Sequence, residues 1–236
     1  RGVIAVFGDV RAAEVLKLVE ARFGSMKPSG APEPEAPQPQ PLPGEKVVAE
    51  LRPKNQAILM VGYPGVDLRS TDRFALELIE EACGDLGSRF FVRIREELGL
   101  AYFVGAAQFI GVAPGLFNFY LGTDPKKLEP VTKAFLDEIG KLAREGLTPQ
   151  ELDRAKAKLL GQEEIENQSN DTMAAASALD ELYGLGFDFR ERRQAAIRNL
   201  SLEEVRAGAG RVLGGDRRVI ASVHPPPKDD NQPSKE

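Results

Sequence analysis

Two rhythms of apolar and polar positions run along this 236-residue chain. VIAVF at 3–7 is a continuous apolar, β-branched run and predicts a strand. Asp9 predicts an N-cap, and Val15, Leu18, Val19 and Phe23 recur at helical spacing until Gly24. From residue 45 onward, KVVAEL and AILMVGYP predict two strands. Arg69 to Cys83 reads as a helix with Phe74, Leu76, Leu78 and Ile79 inside, and Ser88 to Leu98 as another. Strands come next at Tyr102–Ile110 and Leu116–Leu121, joined by GVAPG. Asp124 and Pro125 open a helix through Leu128, Val131, Phe135, Ile139 and Leu142. TPQE at 148–151 is a capping box for a long helix, further helices lie near 171–184 and 190–199, and SLEE at 201–204 is a second capping box. RRVIASV supplies a last strand. From residue 45 the order is β-β-α-α-β-β-α-α-α-α-α-β. That order predicts the α+β class, an antiparallel sheet with helices packed on one face.

The pattern divides the chain into four parts. Residues 1–27 read as the strand-helix end of an upstream domain, since one strand and one helix cannot bury a core. Residues 28–44 carry seven prolines between Pro28 and Pro43 and predict a semi-rigid linker, a reading favoured over an SH3-type ligand. Residues 45–226 form one domain, and 227–236 a disordered polar tail. The chain begins at Arg1, inside the strand-like run, and is expected to be a piece of a longer polypeptide.

Composition narrows the function. A net charge of −5 argues against a nucleic-acid partner, because phosphate binding needs a basic face. No apolar run approaches the ~18 residues of a membrane helix, so no membrane span is expected. The single cysteine, Cys83, leaves no internal disulfide, and the compartment stays open. With one cysteine and one histidine, His224, the chain cannot assemble the usual zinc ligand set, so no metal ligand is expected in it. His224 reads as a terminal strand residue before three prolines, and the acidic EEIE at 163–166 as a solvated helix face.

The segment SRFFVRIREELGLAYFVGA, Ser88 to Ala106, carries the candidate chemistry. On a helical wheel Phe90, Phe91, Ile94 and Leu98 form the apolar stripe, and Arg89 and Arg93 fall where solvent reaches them. Arg95 lies about 80° from the stripe centre at about 100° per residue. Gly99 permits a left-handed stop, after which Leu100 folds back and Tyr102 begins a strand close to Arg95. Two readings stand on residue types alone. Either Arg95 neutralises the helix C-terminus and Tyr102 is a half-buried strand aromatic, or both donors face one cleft and serve an oxyanion.

That segment, with GLFNFYLGTDP and GLTPQELDRAKAKLLGQ, resembles the C-terminal half of the pitrilysin-type zinc metallopeptidases, the inverzincins that include insulinase and mitochondrial processing peptidase. The similarity spans about residues 45–225, and GVIAVFGDVRAAEVLKLVEARFG resembles the end of that family's preceding domain. The arginine-to-tyrosine spacing inside REELGLAY is its most specific element. The H-x-x-E-H signature that binds zinc and supplies the general base is absent.

The resemblance implies a half-clamshell closing over an extended peptide substrate, opposite a homologous zinc-bearing domain or subunit. It implies catalytic roles for Arg95 and Tyr102, a metalloendopeptidase activity of the full assembly, and zinc held by residues outside this chain. The fragment alone is then inactive. A non-catalytic scaffold of the same fold, or a simple peptide-binding module, are the alternatives it leaves open.

Overall fold

Every second residue of the central strands is apolar and buried, which sets both the sheet and its covered face. The computed structural model describes residues 2–27, 30 and 39–226, so most of the proline-rich segment and the whole 227–236 tail lie outside the described residues. Its helices are α1 (Ala12–Phe23), α2 (Asp72–Gly84), α3 (Leu128–Glu145), α4 (Pro149–Glu166), α5 (Asn170–Leu182), α6 (Phe189–Asn199) and α7 (Leu202–Leu213). By internal contacts the chain forms two units, Arg1–Pro37 with Lys156–Asn199 and Gln38–Ala155 with Leu200–Glu236. This grouping does not keep to consecutive stretches of sequence.

The larger unit holds a five-stranded sheet of β1 (Lys46–Leu51), β2 (Ala57–Pro64), β3 (Phe103–Phe109), β4 (Leu116–Thr123) and β5 (Val219–His224), in the order β1-β5-β2-β4-β3. Leu59 pairs with Leu121, Val61 with Phe119 and Tyr63 with Phe117, while Val104 and Ala106 extend the same rows onto β3. All are buried. Leu76 and Ile79 of α2, Phe135 and Ile139 of α3, and Val205 and Ala209 of α7 complete the core. Mixed α+β architecture with helices against one sheet face is therefore what the chain adopts. One edge differs from the all-antiparallel expectation. β5 inserts between β1 and β2 and runs antiparallel to β2, so β1 lies parallel to β5.

In the smaller unit, residues 3–7 are not a strand. A strand needs a hydrogen-bonding edge, and all five described strands belong to the larger unit. The helix after this run begins at Ala12 with Arg11 at its N-cap, not at Asp9. Ile4, Val6, Val10, Leu16 and Leu18 are exposed, and α1 buries none of its residues. EEIE is not a uniformly solvated face either. Glu163 is buried and ion-paired with Arg193 at 2.9 Å and Arg190 at 3.6 Å, partners that α6 supplies from far along the sequence.

Both predicted capping boxes form. At α7, Ser201 and Glu204 exchange side-chain-to-backbone hydrogen bonds. Ahead of α4, the Glu151 N–H donates to Thr148 Oγ1 at 3.2 Å and the Thr148 N–H donates to the Glu151 carboxylate at 2.8 Å.

Candidate functional site: the Ser88–Tyr102 reversal

Ser88 is fully buried, and its hydroxyl accepts the Phe91 N–H at 3.1 Å. Phe90 anchors the adjoining turn, its ring centroid 5.2 Å from that of Phe119 and 5.6 Å from that of Phe135. Phe91–Glu97 is then a π-helix, not the predicted α-helix. The Leu98 N–H reaches the Arg93 carbonyl, five residues back, at 3.2 Å. Such wide turns are rare and gather at functional sites. They also change the angular position of each side chain, so a wheel drawn for an α-helix misassigns the end of the segment. Ile94 is buried as the wheel requires, whereas Leu98 is 38% exposed.

Gly99 ends the segment at φ 59°, the left-handed region open to glycine at little cost. Its N–H donates to Arg95 O at 3.1 Å, and the Leu100 N–H to Ile94 O at 2.9 Å. The reversal is tied down beyond that point. Thr123 Oγ1 donates to Leu100 O at 2.5 Å, Lys127 Nζ to Gly99 O at 2.9 Å, and the Tyr102 N–H to Gly122 O at 2.8 Å.

Arg95 and Tyr102 stand on the two arms of this reversal, and both are exposed. The Arg95 guanidinium carbon lies 4.6 Å from the centre of the Phe91 ring, one turn back. This cation–π contact holds the charge over an aromatic face while leaving its N–H groups free. Among the described residues, no hydrogen bond or ion pair joins the Arg95 and Tyr102 side chains to each other or engages either elsewhere. The backbone brings them to one reversal, and neither turns into the packed interior.

Behind the reversal lies a group that local sequence reasoning placed in solvent. Arg89 makes a two-pronged ion pair with Glu151, Nε donating at 2.8 Å and Nη2 to the second carboxylate oxygen, and Nη2 also donates to Gly146 O at 3.0 Å. The two side chains are only 15% and 11% exposed. Burial by itself raises the Glu151 carboxyl, yet the bonds from Arg89 and the Thr148 backbone hold it below the usual carboxylate range. The same bond pushes Arg89 upward against the cost of burial. The capping motif TPQE marks Glu151, but no local signal marks its long-range partner.

On the other face of the sheet, Phe103 and Tyr120 lie flat over glycines of the neighbouring strand. A Cβ on Gly122 would fall 2.3 Å from Phe103 Cε1, and one on Gly105 would fall 2.7 Å from the Tyr120 hydroxyl. Glycine gives the rings room to lie down, a cross-strand arrangement that protects bare backbone. Ile58 and Met60 extend this partly exposed apolar surface on β2.

The described residues contain no group of three or more His, Cys, Asp or Glu able to hold a metal. His224 Nδ1 lies 2.9 Å from Pro225 O, and burial pushes the Cys83 thiol far up, away from the thiolate that metals bind. No described helix is long and apolar enough to cross a membrane.

The family model described as "Peptidase M16 inactive domain" matches residues 1–159, which include the whole reversal and Glu151. The chain belongs to the peptidase M16 family. Its relatives include an uncharacterized zinc protease of Streptomyces coelicolor, 32% identical over 96% of this chain and 50% of the relative. The uncharacterized zinc protease YmxG of Bacillus subtilis is 27% identical over 77% of this chain and 44% of its own length. The chain thus spans about half the length of the relatives it matches. Among solved structures, the peptidase M16 inactive domain from Pseudomonas fluorescens superposes with a TM-score of 0.82 at 26% identity, covering 93% of this chain and 52% of that one. A chain of Complex III2 from Candida albicans shares the fold, with a TM-score of 0.72 at 17% identity over 92% of this chain and 53% of that one. Both curated relatives carry the name zinc protease, and the matching family model carries the name inactive domain.

Proposed function

We propose that this chain is the substrate-holding half of a zinc metalloendopeptidase. Arg95 grips a carbonyl of an extended peptide, and Tyr102 donates a hydrogen bond to the oxygen that becomes negative as the peptide bond is attacked. Zinc and the H-x-x-E-H general base come from another domain or subunit. The observation that carries the reading is the pair of exposed donors, unengaged by hydrogen bond or ion pair, on one rigid reversal. A donor fixed before the reaction stabilises developing charge without reorganising, and loss of one typically costs about 3 kcal/mol in the transition state. The exposed Ile4, Val6, Phe7 and Val10 and the unburied α1 support a further part of the proposal, that residues 1–27 complete an upstream domain.

In the full-length protease, Tyr102→Phe is expected to lower kcat about 100-fold, in keeping with one lost donor. Arg95→Ala is expected to raise KM for extended peptides, with folding unchanged by circular dichroism in both variants. Undiminished cleavage by both defeats the proposal. A second reading, a scaffold subunit that keeps the fold without the chemistry, is favoured by the match to a domain described as inactive. It predicts no peptidase activity for the full protein even with zinc added.

A further inference from the structure

The loop that launches the π-helix, residues 85–89, is held from one side by a single turn of α4. Glu151 and Arg154 are three positions apart and share a helix face. Glu151 takes Arg89 in the two-pronged pair, and Arg154 takes the start of the loop, Nε donating to Asp85 at 3.1 Å and Nη2 to Gly87 O at 3.1 Å. Between the two grips, Ser88 is fully buried and caps Phe91. Glu151 also accepts the Thr148 N–H, and Arg89 reaches Gly146 O just past α3. One ion pair therefore ties the launch of the π-helix, the exit from α3 and the entry to α4 to a common point.

A π-helix replaces ordinary helical hydrogen bonding with a rarer, wider turn, and it persists where the surroundings fix both of its ends. The far end is fixed by Gly99, Thr123 and Lys127. The near end is fixed by α4. We infer that Glu151 and Arg154 are positioning residues which set the π-helical register and, through it, the placement of Arg95 and Tyr102. The catalytic part of this inference rests on the function proposed above; the structural part does not.

The test uses the full-length protease with Glu151→Gln, and Arg154→Gln as a second variant on the more exposed pair in case the first does not fold. Amide hydrogen exchange over residues 91–102 is read beside peptide hydrolysis, at a temperature where far-UV circular dichroism shows each variant folded. Exchange at Leu98, Gly99, Leu100 and Tyr102 is expected to quicken at least about tenfold, while core amides such as that of Val61 keep their protection. Hydrolysis is expected to fall by about tenfold or more, since a misplacement of 1 Å can cost on the order of 100-fold. In a background carrying both Arg95→Ala and Tyr102→Phe the same substitution is expected to cost little further, because the groups it positions are already gone.

Unchanged exchange in a folded variant overturns the inference, whatever the activity does. Quickened exchange with unchanged hydrolysis, or with costs that multiply in the background lacking both Arg95 and the Tyr102 hydroxyl, overturns the positioning role. Should Tyr102→Phe and Arg95→Ala both leave hydrolysis intact, the proposed function fails, and exchange still decides whether α4 sets the π-helical register.

Discussion

Glu151 and Arg89 are 62 positions apart in sequence and joined by a two-pronged ion pair, while Glu151 also closes a capping box with Thr148. A side chain that looks local from the sequence is thereby the link between two helices and the reversal that bears Arg95 and Tyr102. Removing one partner of such a buried pair leaves the other uncompensated and typically costs about 3–5 kcal/mol.

That pair gives stability a defined acid limb. The folded Glu151 carboxyl is held below its ordinary range, so its contribution is complete above the unfolded value of about 4.3. It is lost as pH falls through the lower, folded value. Urea midpoints of the wild-type protein and of Glu151→Gln are expected to lie furthest apart near neutral pH and to converge below about pH 4. Curves that stay equally separated down to about pH 3 exclude the linkage.

Phe90 and Leu98 look equivalent on an α-helical wheel but not in the π-helical segment. Phe90→Ala is expected to destabilise by about 3–5 kcal/mol, since its ring fills the space between Phe119 and Phe135. Leu98→Ala is expected to cost about 1 kcal/mol or less. Equal losses in urea unfolding mean that the segment is an ordinary α-helix.

The flat ring of Phe103 depends on Gly122. Gly122→Ala puts a methyl group where the ring lies and is expected to destabilise by about 1–2 kcal/mol as the ring swings away. In a Phe103→Ala background the penalty is expected to vanish, a coupling that a double-mutant cycle measures directly. A penalty of the same size in both backgrounds assigns the strain to the strand itself.

The capping boxes at Thr148–Glu151 and Ser201–Glu204, the order of elements from Lys46 to His224 and the apolar rows of β2 and β4 are all legible in the sequence, because each depends on neighbours within a few residues or on a strict period. So is the exposed pair Arg95 and Tyr102, whose spacing across Gly99 the chain reversal preserves. Tertiary structure alone decided the parallel β1–β5 pairing, the partial burial of Arg89 and the burial of Glu163, and the π-helical turn between Phe91 and Glu97. Each of these requires a partner supplied from a distant part of the chain. A charge is solvated or buried according to whether its counter-ion arrives, and the wide helical turn here has both of its ends held by contacts from outside it.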